Sequence, residues 1–184
     1  MPSLAKPSSK YEVVYRKIRY PRLEFKTGTL LLVLPEGTSE EELLTKYASW
    51  IEEKSAIIEE ALQKSRDKEL YNRSDEEFKN LVYSLINDYS EELGRRPSRV
   101  FFRRMNSKWA SCSKSGNITV NLFLKYLPEQ AVAYVIYHEM LHLFEKRHNS
   151  IFWRKISGKY PDWEDLETDL FIYWFAVQKL VTGE

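Results

Sequence analysis

The chain has 184 residues, of which 43% are hydrophobic and 30% are charged, which predicts one globular domain, or one core with an appendage, and excludes a disordered chain. The formal net charge is +1, so overall charge points to no particular class of partner. A single cysteine, Cys112, excludes an intramolecular disulfide and favours a reducing, cytoplasmic compartment. We expect no membrane segment and no signal peptide, because the longest apolar run, residues 171–177, is too short to span a bilayer and residues 1–10 lack an apolar stretch.

The first third of the chain predicts a tail, a small sheet and a long helix. Residues 1–10 carry Pro, Ser and Lys and are expected to form a flexible tail. Residues 11–34 alternate between apolar runs and turn residues, which predicts two or three antiparallel strands. Residues 40–62 have apolar positions at helical spacing, which predicts one long helix.

The remainder is predicted to be mostly helical. Ser74 and Glu77 have the spacing of a capping box, and Gly94 ends the helix that follows. Strands are expected near residues 100–102 and 118–124, a helix from Pro128 to about residue 146, a short helix from Asn149 or Ser150, and a last helix opening within 161–165. We therefore predict an α+β fold with an N-terminal antiparallel sheet and long helices. Its parts are the tail at 1–10, strands and a long helix at 11–73, and a catalytic core at 74–184.

The sequence His138-Glu139-Met140-Leu141-His142 carries the chemistry. Residues four apart lie on one face of a helix, so the two imidazoles can share a metal ion. Glu139 lies one residue round the helix, where it can take a proton from a metal-bound water as a general base. The alternative to a metal site is a helix with a purely structural role, but two unpaired imidazoles and a carboxylate on a buried helix would be costly. Zinc is the expected ion, with Ni²⁺ or Mn²⁺ as alternatives, because imidazole suits all three.

A catalytic zinc site needs a third protein ligand, and His148 is the first candidate. It lies six residues after His142, so the helix must end between them for its ring to turn back. Acidic residues of the last helix are the alternative, either as the third ligand or as acceptors for a ligand's second ring nitrogen. These residues are Glu164, Glu167 and Asp169.

A longer set of residues resembles the YgjP-like metallopeptidase family. The set comprises Lys108-Trp109-Ala110-Ser111-Cys112-Ser113, Gly116-Asn117-Ile118, Asn121, Pro128, the His motif, and His148 followed by Phe152-Trp153. The similarity is strong over residues 95–160 and departs at Ala110, where the family usually has Gly. More distantly the chain is similar to the SprT and Wss1 zincin proteases. The resemblance implies a zincin-like metallopeptidase fold and a cytoplasmic metal-dependent hydrolase; peptidase activity is the usual inference, and a nucleotide triphosphate pyrophosphatase role has been attached to one member.

Four further residues are candidates for substrate binding: Trp109, Asn121, Arg103 and Arg104. Each has a structural alternative, namely core packing for Trp109, fixing a loop for Asn121 and a solvated basic face for the arginines. Residues 95–114 contain seven basic side chains and no acid, which keeps a nucleotide substrate or nucleic-acid association open. The leading prediction is a metallopeptidase acting on peptides, followed by a pyrophosphatase or a nucleic-acid-associated protease. A structural zinc module is disfavoured, because such a site needs no base; nothing in the pattern favours one oligomeric state.

Overall fold

The computed structural model describes residues 11–26 and 28–182, which contain both helices and small sheets. They divide into two units, one covering 11–67 with 178–182 and the other covering 68–177. The predicted α+β class, with an N-terminal sheet and long helices, is confirmed. The tail predicted at 1–10 lies outside the described residues, and the boundary placed after residue 73 stays a prediction.

The first unit contains a three-stranded sheet made of β1 (Tyr11–Tyr15), β2 (Arg22–Lys26) and β3 (Thr29–Leu34). β3 lies in the middle because its run of leucine and valine is buried, as suits a central strand. β2 and β3 form an antiparallel hairpin whose turn contains Gly28 at φ +87°. β1 pairs with β3 in parallel, so the sheet is mixed. The sequence had predicted antiparallel strands throughout, and for β1 that prediction is wrong.

Two helices complete the first unit where the sequence predicts one. α1 (Glu40–Lys46) and α2 (Ala48–Lys64) are separated by Tyr47, whose φ of −108° and ψ of 17° leave the helical region. The apolar spacing continues across this residue, which is why periodicity alone does not show the break. Leu43 of α1 and Ile51 of α2 pack with the buried leucines of β3.

The second unit opens with α3 (Asp75–Leu93), whose two ends confirm the sequence prediction. The Ser74 hydroxyl accepts from the Glu77 backbone N–H at 3.2 Å, and the Glu77 carboxylate accepts from the Ser74 N–H at 2.8 Å. This capping box satisfies amides that the first helical turn leaves unpaired. Gly94 ends the helix with a left-handed φ of 71°.

A second sheet follows, made of β4 (Arg99–Arg103), β5 (Ala110–Cys112) and β6 (Asn117–Asn121) in the order β4-β6-β5. β4 runs parallel to β6, and β5 runs antiparallel to it at the sheet edge. The strands predicted near 100 and 118 are confirmed, although residues 122–126 form a 3₁₀ turn rather than more strand. β5 has only three residues and no alternating pattern, so the sequence did not predict it.

Three helices complete the second unit: α4 (Glu129–Leu141), α5 (Ser150–Lys159) and α6 (Trp163–Thr182), whose last turn belongs to the first unit. α4 is buried on nearly every side, and it lies within the main hydrophobic core. None of the helices in the described part of the chain is long and apolar enough to cross a membrane.

Candidate metal centre

Three histidines come together where α4 ends. The regular helix stops at His142, and turns follow in which Leu143 N–H donates to Met140 O and Phe144 N–H donates to Leu141 O. His148 lies in the segment after these turns, and one ring nitrogen from each of His138, His142 and His148 lies within 4.8 Å of the others. The helix therefore ends before His148, as the role of that residue as a ligand requires, but it ends at Leu141 and not near residue 146 as the sequence predicted, because turns replace the helical bonds after His142.

The ring nitrogens of the three histidines have distinct surroundings. Nε2 of His138 lies 2.9 Å from Nε2 of His148, so these two atoms face each other at the centre of the cluster. Nδ1 of His142 lies 2.9 Å from the carbonyl oxygen of Glu145. A carbonyl can only accept, so Nδ1 of His142 carries the proton and its Nε2 keeps a lone pair for a ligand.

Aromatic rings stack on two of the histidines. Phe152 stacks on His142 at 4.8 Å between ring centroids, and Trp153 stacks on His148 at 5.6 Å. Asn149 sets the position of both aromatic residues, because its side-chain oxygen accepts from the Ile151 and Phe152 amides and starts α5. The third histidine is exposed, so this stacking accounts for how its ring stays in the cluster.

Burial favours the neutral form of two of the imidazoles, His138 and His142. It lowers the pKa of His138 to about 3, with the neighbouring His142 and His148 lowering it further. Burial also lowers the pKa of His142. A neutral imidazole offers a nitrogen lone pair, which is the form that binds a metal.

Glu139 lies beside the cluster on α4 and is only 8% exposed. Burial raises the pKa of its carboxyl group to about 7, opposed by a hydrogen bond from the Cys112 backbone N–H and by the charge of Lys108. Within the described residues its Oε2 atom has no hydrogen-bond partner. A buried carboxylate oxygen without a partner is costly, and it is placed to accept a proton from a small molecule at the site.

The donors at this site fit a divalent metal ion. Three imidazole nitrogens converge within 4.8 Å of one another, and the unpaired Glu139 oxygen lies on the neighbouring residue of the helix. Three protein ligands with a base beside them are the arrangement of a catalytic rather than a structural zinc site, which uses four protein ligands. The three histidines that could hold the ion are the first candidates that the sequence analysis names, and their assignment as metal ligands stays a prediction.

The edge strand β5 borders the site, which the sequence did not predict. Its ladder to β6 is closed by Asn121 N–H donating to Trp109 O and Ser113 N–H donating to Asn117 O. In an antiparallel pair the intervening Ala110 and Cys112 therefore turn their backbone groups outward. The Cys112 N–H bonds the Glu139 carboxylate, and no other strand in the described ranges pairs with this outer edge.

Asn121 and Trp109, both predicted as substrate contacts, make contacts within the protein itself. Asn121 is fully buried, and its amide nitrogen donates to the carbonyls of Met105 and Lys108 at 2.8 Å. Its side-chain oxygen accepts from the Met105 and Phe123 amides, so it fixes the loop before β5. Trp109 packs edge-on against Trp174 of α6 at 5.0 Å.

The remaining candidates lie on the surface or on α6. Arg103 and Arg104 are exposed, and the Arg103 guanidinium lies over the Phe101 ring at 5.6 Å. Asp169, an alternative metal ligand, instead pairs with Lys68 at 2.6 Å. Glu167 lies 3.7 Å from Nδ1 of His138, on the side of the ring away from the other two histidines. The three histidines therefore form the cluster without an acid of α6.

Comparison with known proteins identifies the family of this chain. A family model described as "YgjP-like, metallopeptidase domain" matches residues 59–171. No curated protein matches the chain. Among solved structures, the metallopeptidase zymogen of Pyrococcus abyssi abylysin is 30% identical over 44% of this chain and 80% of that one, with a TM-score of 0.40. The metallopeptidase zymogen of Methanocaldococcus jannaschii jannalysin is 22% identical over 54% of this chain and 89% of that one, with a TM-score of 0.43. The family match spans more than half of the chain, so this protein belongs to the YgjP-like metallopeptidase family and is a metal-dependent hydrolase.

Proposed function

We propose that this protein is a zinc-dependent peptidase in which His138, His142 and His148 hold the ion and Glu139 is the general base. The observation that carries the proposal is the convergence of three ring nitrogens within 4.8 Å, beside a buried carboxylate with an unpaired oxygen. Zinc is preferred over nickel or manganese because three imidazoles with an open position suit its four-coordinate geometry.

The protein residues divide the work of peptide hydrolysis between them. When bound, the ion supplies Lewis-acid chemistry, polarising the scissile carbonyl and acidifying the attacking water. Glu139 accepts the proton of that water on its unpaired oxygen and delivers it to the leaving amine. The Cys112 N–H fixes the other side of the carboxylate, and burial keeps its pKa, about 7, near neutral, where a group can both take and return a proton.

The outer edge of β5 supports a peptide as the substrate. The backbone groups of Ala110 point outward beside Glu139, and an extended peptide can hydrogen-bond to them as an added strand. Such pairing uses only main-chain atoms, so it orients many sequences equally well. It also brings a peptide carbonyl alongside the base, because Cys112 of the same strand contacts Glu139.

Replacing the base tests the proposal directly. Glu139→Gln keeps the shape of the side chain and removes the proton acceptor, so we expect it to retain one equivalent of zinc while peptide hydrolysis falls by at least about 100-fold. Glu129→Gln is the matched control, since that residue is an exposed glutamate at the start of the same helix. Equal peptide hydrolysis by Glu139→Gln and Glu129→Gln would remove Glu139 from the mechanism.

The nucleotide substrate and the nucleic-acid association stay predictions, motivated by the acid-free basic segment 95–114. Replacing Arg103 and Arg104 together by alanine separates these possibilities from the peptidase. Phosphate binding needs the charge of these arginines, whereas the pairing of a peptide with the backbone of β5 does not. Nucleotide hydrolysis that falls while peptide hydrolysis persists would favour the phosphate substrate.

A further inference from the structure

His138 is turned so that its two ring nitrogens face different partners. Nε2 points into the histidine cluster, 2.9 Å from Nε2 of His148. Nδ1 lies on the opposite side of the ring, 3.7 Å from Oε1 of Glu167. That distance is too long for a hydrogen bond, but it puts a negative charge next to one nitrogen only.

Glu167 is itself held in place by Tyr134. The Tyr134 hydroxyl donates to the same Oε1 atom at 2.6 Å. Tyr134 lies four residues before His138 on α4, so both side chains project from one face of that helix. Its ring is buried and packs edge-on against Tyr160 at 5.3 Å, which fixes the hydroxyl.

The position of Glu167 on α6 is equally constrained. Leu166 beside it and Leu170 one turn later are both buried in the main core. Glu167 is 42% exposed at its side chain, so it lies at the border of the site. The carboxylate is therefore placed against the back of one imidazole by two packed helices.

We propose that Glu167, held by Tyr134, is a positioning residue for the first metal ligand. Its charge favours the proton on Nδ1 of His138, which leaves the lone pair on Nε2, the nitrogen that faces the cluster. It also offsets the positive charge that the imidazole gains when it binds an ion. The inference rests on the proposed metal site and gives the α6 acid a role outside the ligand set.

Zinc affinity measures this role without any substrate. The dissociation constant of the full chain for Zn²⁺ is measured by competition with a chelator for wild type, Glu167→Gln and Glu167→Ala. We expect both variants to weaken binding by roughly 10- to 100-fold, the usual effect of losing such a partner. Tyr134→Phe keeps the Glu167 carboxylate but removes the hydrogen bond that holds it, so we expect a smaller loss of zinc affinity. Asp165→Asn, at an exposed acid two residues earlier on α6, is the matched control and is expected to bind like wild type.

A spectroscopic measurement separates positioning from direct ligation. The visible absorption bands of the Co²⁺-loaded protein report the ligand set, and we expect Glu167→Gln to leave their positions unchanged. A changed ligand field in that variant would make Glu167 a ligand and overturn the inference.

Two other outcomes are distinct. Unchanged zinc affinity in Glu167→Ala, even with a lower melting temperature of the metal-free protein, would make the contact merely structural and overturn the inference. Absence of zinc binding by wild type would overturn the proposed function itself, and this inference with it.

Discussion

At the scale of single residues, Glu139 is the clearest case of a side chain whose surroundings set its chemistry. Its neighbours on α4 are core residues, so the carboxyl group is buried, and its pKa rises from 4.5 to about 7. His138 is shifted in the opposite direction, since burial lowers its pKa to about 3. Both shifts favour the uncharged form, as expected for ionisable groups removed from water.

These shifts predict a pH-dependent stability for the metal-free protein. A carboxyl group whose pKa is raised on folding binds more protons in the folded state, so its effect lowers the free energy of unfolding as pH rises from 4.5 to about 7. Glu139→Gln removes this titration. We expect urea unfolding to show the variant more stable than wild type at pH 8 by up to about 3 kcal/mol, with little difference near pH 4.5. His138 also lowers the free energy of unfolding as pH falls below 6.5, because its pKa is lowered on folding. This effect is the same in wild type and in Glu139→Gln, so it cancels in the difference between them. A constant difference across this range would contradict the assigned burial.

At the scale of elements, β5 is a short strand that we expect to have a large effect on peptide binding. Its alternating register turns the Ala110 N–H outward and leaves the Ser111 N–H toward β6. Because β5 is an edge strand, proline is tolerated where the N–H does not join the ladder.

Proline substitutions test this register. Ala110→Pro is expected to raise the KM for peptides at least several-fold and to lower the melting temperature less than Ser111→Pro does. It leaves the bonds of the β5–β6 ladder in place, although the Ala110 side chain itself is buried in the main core. Ser111→Pro is the contrasting variant, since it removes a ladder bond and is expected to lower the melting temperature. If Ala110→Pro leaves KM unchanged, the peptide does not pair with this edge.

The elements also show what the sequence can and cannot predict. α3 was predicted with both of its ends because Ser74, Glu77 and Gly94 are local signals. The spacing of the histidine motif likewise anticipated the cluster, since helix geometry fixes residues four apart. The parallel pairing of β1 with β3 and the approach of Glu167 to His138 depend on contacts between distant segments, which no local pattern carries.

At the scale of the whole molecule, charge is balanced in number but not in place. The chain has 28 Lys and Arg against 27 Asp and Glu, yet residues 95–128, which form the second sheet, contain no acid. Two lysines lie on this side of the site: Lys108 is close enough to lower the pKa of Glu139, and Lys146 lies 3.3 Å from the Ser113 carbonyl oxygen at the end of β5. The β5 side of the site is therefore electropositive.

This asymmetry predicts a preference among peptide substrates. Acidic peptides are expected to have a higher kcat/KM than basic peptides of matched length, and the difference is expected to shrink between about 20 mM and about 500 mM salt, because added ions screen exposed charges. The measurement compares two fluorogenic peptides that differ only in the charge of their flanking residues. A preference for the basic peptide at low salt would contradict the assigned role of the lysines.

The central claim is that three histidines hold one catalytic metal ion, and metal content per chain tests it most directly. Wild type, His138→Ala, His142→Ala and His148→Ala are each loaded with zinc, freed of excess metal and measured for bound ion. One equivalent in wild type and a large loss in every variant is the predicted result, because each ring nitrogen belongs to the same cluster. Full retention of zinc by His148→Ala, or no zinc in wild type after loading, would contradict the three-histidine site.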